Sequence, residues 1–87
     1  MVSTPILIKD KIGFHARTAS LFAKEAAKFK SDIFVEFKDK KVNGKSTLSL
    51  MTLGVKNLDQ ITLTVEGTDE NQAHLTLIKL IESNFKQ

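Results

Sequence analysis

The sequence has no cysteine and only two histidines among its 87 residues. That excludes a disulfide framework and a thiolate metal site, and two histidines alone make a poor metal site. Proline occurs once, as Pro5, and arginine once, as Arg17. No stretch approaches the ~20 apolar residues of a membrane span. The start, Met1-Val2-Ser3-Thr4-Pro5, lacks the basic flank and apolar run of a secretory signal. Neither sign of charge dominates: 13 Lys+Arg stand against 10 Asp+Glu, a formal +3. The mild basic excess suits a solvated lysine surface or a weak attraction for acidic proteins. With no arginine cluster, a nucleic-acid partner is not expected. The expectation is a cytoplasmic protein with no cofactor, no metal and no membrane insertion. Its length fits one domain, residues 1–87, with one modest core.

Along the chain there is no repeat, low-complexity segment or linker. Ile6-Leu7-Ile8 after Pro5 predicts a strand, and the proline places it at a sheet edge or makes Pro5 the strand's first residue. Asp10-Lys11-Ile12-Gly13 predicts a loop. From Ala16 the period becomes helical, with Ala19, Phe22, Ala23, Ala26 and Ala27 on one apolar stripe. Arg17, Ser20, Lys24 and Lys28 fall opposite, and Ser31-Asp32 is expected to end the helix. Ile33, Val35 and Phe37 alternate with Phe34, Glu36 and Lys38, the period of a half-buried strand.

Lys38, Lys40 and Lys41 around Asp39 predict a hairpin tip, followed by a brief strand near Lys41-Val42. Residues 46–53 fit a short helix with Ser46 as N-cap and Gly54 as its C′ stop. Ile61, Leu63 and Val65 alternate with Thr62, Thr64 and Glu66 in another strand. After Gly67, Thr68 or Asp69 is a candidate cap for a last helix from about Glu70 to about Phe85. That helix carries the stripe Ala73, Leu77, Leu80, Ile81 and Phe85. The order β-α-β-β-α-β-α predicts an α+β fold: a two-layer open-faced β-sandwich, with a four-stranded antiparallel sheet covered on one face by three helices. Phe34 would point to the open face.

Chemistry concentrates in Gly13-Phe14-His15-Ala16-Arg17. An imidazole stands where loop gives way to helix, with a guanidinium two residues on. A helix start presents unpaired N–H groups and a positive dipole end, so an anion is stabilised there. A histidine so placed could carry a phosphoryl group, making the protein a carrier rather than a stand-alone catalyst. His74, without a charged partner nearby in sequence, reads as an ordinary helix residue. An RNA-binding sheet would need its aromatics on one face, yet Phe34 and Phe37 have opposite parity.

Gly13-Phe14-His15-Ala16-Arg17-Thr18-Ala19 resembles the active-site motif of the HPr family, the histidine-containing phosphocarriers of the bacterial sugar phosphotransferase system. Asn43-Gly44-Lys45-Ser46 and Leu48-Ser49-Leu50-Met51-Thr52-Leu53-Gly54 resemble that family's regulatory serine segment. The resemblance implies that His15 accepts a phosphoryl group, on Nδ1, from phospho-enzyme I and passes it to sugar-specific enzyme IIA domains. It implies phosphate stabilisation by Arg17 and regulatory phosphorylation of Ser46 by HPr kinase/phosphorylase. It also implies a partner surface of Ser20, Lys24, Thr47, Leu48 and Met51; separately, a monomer is the expectation. A regulatory paralogue that has lost phosphotransfer would typically lack the histidine. One departure stands out: Thr18 occupies the position where the family usually has proline. Proline would fix φ in the first helical turn, so Thr18 is expected to loosen that turn while restoring an N–H.

Overall fold

The computed structural model describes residues 1–9, 13–83 and 85. Seven elements follow in the expected order: β1 (Val2–Leu7), α1 (Ala16–Ala26), β2 (Asp32–Phe37), β3 (Lys40–Asn43), α2 (Thr47–Met51), β4 (Gln60–Glu66) and α3 (Glu70–Glu82). Asp10, Lys11 and Ile12 of the expected first loop lie outside the described residues.

The strands form one antiparallel sheet in the order β1-β4-β2-β3. Pro5 lies within β1, which is an edge strand, where a missing N–H costs no ladder bond on the open side. Alternation sorts the faces. Ile6, Ile33, Val35, Ile61, Leu63 and Val65 are buried in the core, and Phe37 and Val42 pack against it. Phe34 takes the opposite parity on β2, with the Lys41 ammonium 4.8 Å from its ring centroid. The helices close the inner face with Ala19, Phe22, Ala23 and Ala26 of α1, Leu50 of α2, and Ala73, Leu77, Leu80 and Ile81 of α3. The alanines keep α1 thin on its packed side.

Four local expectations need correction. Helix α1 ends at Ala26, five residues before Ser31, and Ala27 is an exposed C-cap instead of part of the stripe. The reason lies across the fold: the Asp69 carboxylate accepts the Lys30 and Ser31 N–H groups at 2.9 and 3.0 Å, so they do not continue the helix. Helix α3 ends at Glu82, and Phe85 reaches the core from beyond it with φ 62°. The Phe85 N–H donates to the Leu80 carbonyl at 2.8 Å, a six-to-one closure that folds the chain back over the helix end. In α2 the C-cap is Thr52, so Gly54, with φ 72°, stands one place beyond C′. Asp69 occupies the N-cap position of α3 but makes no side-chain cap bond.

Candidate functional site

The site grows from a glycine. Gly13 has φ 83°, and a Cβ there would stand 2.1 Å from the Val55 carbonyl oxygen, so only a residue without one fits. Phe14 then anchors the loop twice. Its N–H donates to the Val55 carbonyl at 3.2 Å, and its buried ring meets Phe22 and Phe85 edge-on, with centroids 5.6 and 5.7 Å apart. With residues 13 and 14 held by the core, residue 15 emerges at the surface in a fixed place.

That residue is His15, half-buried at the N-cap of α1 in extended backbone (φ −124°, ψ −173°). Its Nδ1 accepts the Arg17 N–H at 3.3 Å, and its side chain and that of Thr18 cap reciprocally. An Nδ1 that accepts carries no proton, so the neutral ring holds its proton on Nε2. The lone pair is thereby aimed at the helix N-terminus, where backbone dipoles favour negative charge. The first turn of α1 contains no acidic side chain to offset that field. Arg17 is exposed on the same turn.

Thr18 is where reading the residues alone fell short. Its side chain is fully buried; its hydroxyl donates to the Gly13 carbonyl at 2.7 Å and accepts the His15 N–H at 3.1 Å. The first turn is tied by this residue, not loosened. The signal available in sequence was the spacing of N-cap and third helical residue. Neither histidine nor threonine is the usual occupant of its place in a capping box.

Ser46 caps α2 as expected, its Oγ accepting the Ser49 N–H at 3.3 Å. Helix α1 packs against α2, so the two candidate phosphorylation sites stand at the N-caps of adjoining helices. Ser20 and Lys24 are exposed on α1, and Thr47 is half-buried at the start of α2. Leu48 and Met51 expose 73% and 40% of their surface, a large amount for apolar side chains on one short helix. Lys38, Lys40 and Lys41 belong to the β2–β3 hairpin, and the Lys40 ammonium donates to the carbonyl of Thr52, the C-cap of α2, at 3.4 Å. His74 is apart: its Nε2 stands 2.6 Å from the Thr4 hydroxyl, joining α3 to β1. Among the described residues no helix is long and apolar enough to cross a membrane.

Comparison with known proteins gives this geometry a context. Residues 2–83 match the family model PTS-HPr, described as the PTS HPr component phosphorylation site. The chain is 46% identical to the HPr-like protein Crh of Halalkalibacterium halodurans, over 94% of this chain and 98% of that protein. It is 45% identical to phosphocarrier protein HPr of Mycoplasma pneumoniae, over 93% and 92%. The crystal structure of HPr-C-His from Thermoanaerobacter tengcongensis superposes with a TM-score of 0.95 at 47% identity, covering 100% of this chain and 98% of that one. A histidine-capped helix on an open-faced sandwich, matched over nearly its whole length, places this chain in the HPr family of phosphotransferase-system phosphocarriers.

Proposed function

We propose that residues 1–87 act as one HPr-like domain in which His15 accepts a phosphoryl group from phospho-enzyme I and hands it to sugar-specific enzyme IIA domains. The observation that carries this reading is the placement of Nδ1 at the N-cap of α1, 3.3 Å from the Arg17 amide. In the step, the Nδ1 lone pair leaves the Arg17 N–H and forms the new N–P bond while the bond from phosphorus to its leaving atom on enzyme I breaks; the released N–H then faces the phosphoryl oxygens. The donor keeps that electron pair, and the ring retains its Nε2 proton. Phosphoryl oxygens arriving at Nδ1 meet amide N–H groups in place of bulk water, and the Arg17 guanidinium supplies mobile positive charge. These contacts stabilise the transferred group without enclosing it, as a reversible carrier requires.

Ser20, Lys24, Thr47, Leu48 and Met51 form the proposed docking face. A cation on α1 and exposed Leu48 and Met51 on the adjoining α2 suit brief association with more than one acidic partner. Ser46 is the proposed regulatory site for HPr kinase/phosphorylase: a phosphate there adds negative charge beside that face and opposes acidic partners. The protein is proposed to act as a monomer in the cytoplasm. The T. tengcongensis HPr has also been solved as a dimer, so sedimentation at working concentration decides this point.

The alternative is a regulatory HPr-like protein without phosphotransfer, and the two readings part at residue 15. Incubation with enzyme I and phosphoenolpyruvate should give one acid-labile phosphate on the native chain and none on His15→Ala. Acid-labile phosphate at any other residue, or none on the native chain, overturns the carrier reading. For Ser46, mass spectrometry after incubation with ATP and the kinase should find one added phosphate there. An unmodified Ser46 removes the regulatory part.

A further inference from the structure

The loop that presents His15 is closed by one oxygen atom. Thr18 Oγ1 donates its single proton to the Gly13 carbonyl at 2.7 Å and receives the His15 N–H at 3.1 Å. Carbonyls only accept and amides only donate, so this pair of bonds has one possible polarity. The side chain is fully buried at the third position of α1, shielded from the water that would otherwise compete for both bonds. The bonds span residues 13 to 18 and hold the backbone on the N-terminal side of the imidazole. The return half of the capping box, from the helix amides to the His15 side chain, holds the ring itself. Gly13 and Phe14 fix the loop against Val55, and the Thr18 hydroxyl takes the His15 N–H.

We infer that Thr18 is a positioning residue for phosphoryl transfer. Its hydroxyl sets the His15 backbone and hence the aim of Nδ1, and through that aim it governs the rate of transfer and the lifetime of the phosphohistidine without touching the phosphoryl group. The inference rests on His15 being the acceptor. Transfer at Nδ1 requires the lone pair to lie along the line of the breaking bond, so a small rotation of the ring costs rate more than it costs binding. Neither bond of the clip involves Ser20, Lys24, Thr47, Leu48 or Met51 of the docking face, so affinity for enzyme I is separable from the clip.

Thr18→Val keeps the β-branched shape and removes the hydroxyl, Thr18→Ser keeps the hydroxyl, and Leu77→Val, a buried position in α3 that makes neither bond of the clip, is a core-destabilised control. In the unphosphorylated proteins, the ¹⁵N resonance of His15 Nδ1 and the amide resonance of Arg17 report whether the lone pair is engaged. Thr18→Val should move both toward their unbonded values. It should also lower kcat for phosphorylation by enzyme I about tenfold with KM unchanged, and alter the phosphohistidine half-life. Thr18→Ser should stay near the native chain in every readout, and Leu77→Val should lose thermal stability with none of these changes. Native resonances and native kcat in Thr18→Val overturn the inference, as does an equal loss of kcat in Leu77→Val. If the native chain accepts no phosphoryl group, the acceptor reading falls, while the resonances still decide whether Thr18 orients the ring.

Discussion

Helices α1 and α3 begin with the same local device and put it to opposite use. Gly13 stands two residues before His15, and Gly67 two residues before Asp69. Each glycine permits an approach no side chain would tolerate: a Cβ at Gly13 would lie 2.1 Å from the Val55 carbonyl oxygen, and one at Gly67 would lie 2.6 Å from Ser31 Cα. Each start then places an ionisable side chain at the N-cap. The His15 imidazole turns toward its own helix and accepts the Arg17 N–H. The Asp69 carboxylate turns away from its helix and accepts the Lys30 N–H, the Ser31 N–H and the Ser31 hydroxyl. What stands opposite explains the difference. The chain leaving α1 offers donors that need an acceptor, and Asp69 is fully engaged in supplying one. His15 is half-exposed, with its lone pair at a helix end, and that is an arrangement a phosphoryl group can use.

The glycines test this contrast most severely. Gly13→Ala brings a Cβ onto the Val55 carbonyl at a backbone angle that L-residues rarely adopt, and should cost about 3 kcal/mol in chemical denaturation. Gly67→Ala, with φ 153° and contacts on Ser31, should also destabilise. The two should separate in function: per folded molecule, phosphoryl acceptance falls in Gly13→Ala and holds in Gly67→Ala. Equal losses in both would mean that the two helix starts do not differ in use.

Asp69 should give the next largest effect, with a definite pH signature. The Ser31 hydroxyl, and then the Lys30 N–H, hold its carboxyl below the ordinary value of 3.8. A folded-state pKa below the unfolded one adds stability that is fully present above the unfolded value and lost as pH falls through the folded one. Asp69→Ala should therefore melt several degrees below the native chain at neutral pH, and the gap should narrow as pH falls from 3.8 through the lower folded-state pKa. Melting temperatures that stay equally far apart throughout that acid range would show that the carboxylate's charge is not what fastens the turn.

The same residue shows where sequence reading reached its limit. Alternation in β2 and β4 and the stripe on α1 were legible because burial follows backbone period. Ser46 was legible as a cap because its partner lies three residues away. The end of α1 was not, because the acceptor that takes the Lys30 and Ser31 amides is 39 and 38 residues downstream. Phe85 looked like the last turn of a helical stripe because its spacing fits; its place in the core comes from a chain reversal instead. At the site, His15 and Arg17 were visible as residue types with a known chemistry. The Thr18 clip was hidden, since a buried hydroxyl bonded to two backbone groups leaves no periodic trace.

Replacing His15 by a better cap should sharpen the contrast further. Asparagine is among the strongest N-cap residues, and its amide oxygen can accept the N–H that Nδ1 now takes. His15→Asn should leave stability unchanged or raise it by up to about 1 kcal/mol, while phosphoryl acceptance disappears. Histidine at this position would then be held for its chemistry at some cost to the helix. A loss of more than about 1 kcal/mol would show that the ring also contributes packing to the loop.

The smallest effect belongs to the group that assists the start of α3 while Asp69 is occupied. Glu70 accepts the Gly67 N–H at 3.1 Å and pairs with the Met1 ammonium at 2.9 Å. The ammonium first, and then the Gly67 N–H, hold its carboxyl below the ordinary 4.5. Acetylating the N-terminus removes the ammonium and leaves the Gly67 bond, so the Glu70 carboxyl should titrate higher but stay below its ordinary value. The ammonium is well exposed, and exposed pairs are screened by salt. Acetylation should therefore shift the melting temperature by no more than about 2 °C at neutral pH and low salt, and not at all at high salt. A shift as large as that of Asp69→Ala would make the terminal pair a principal fastening of α3. The two helix starts would then differ in how strongly they are tied, and not in what their cap residues are for.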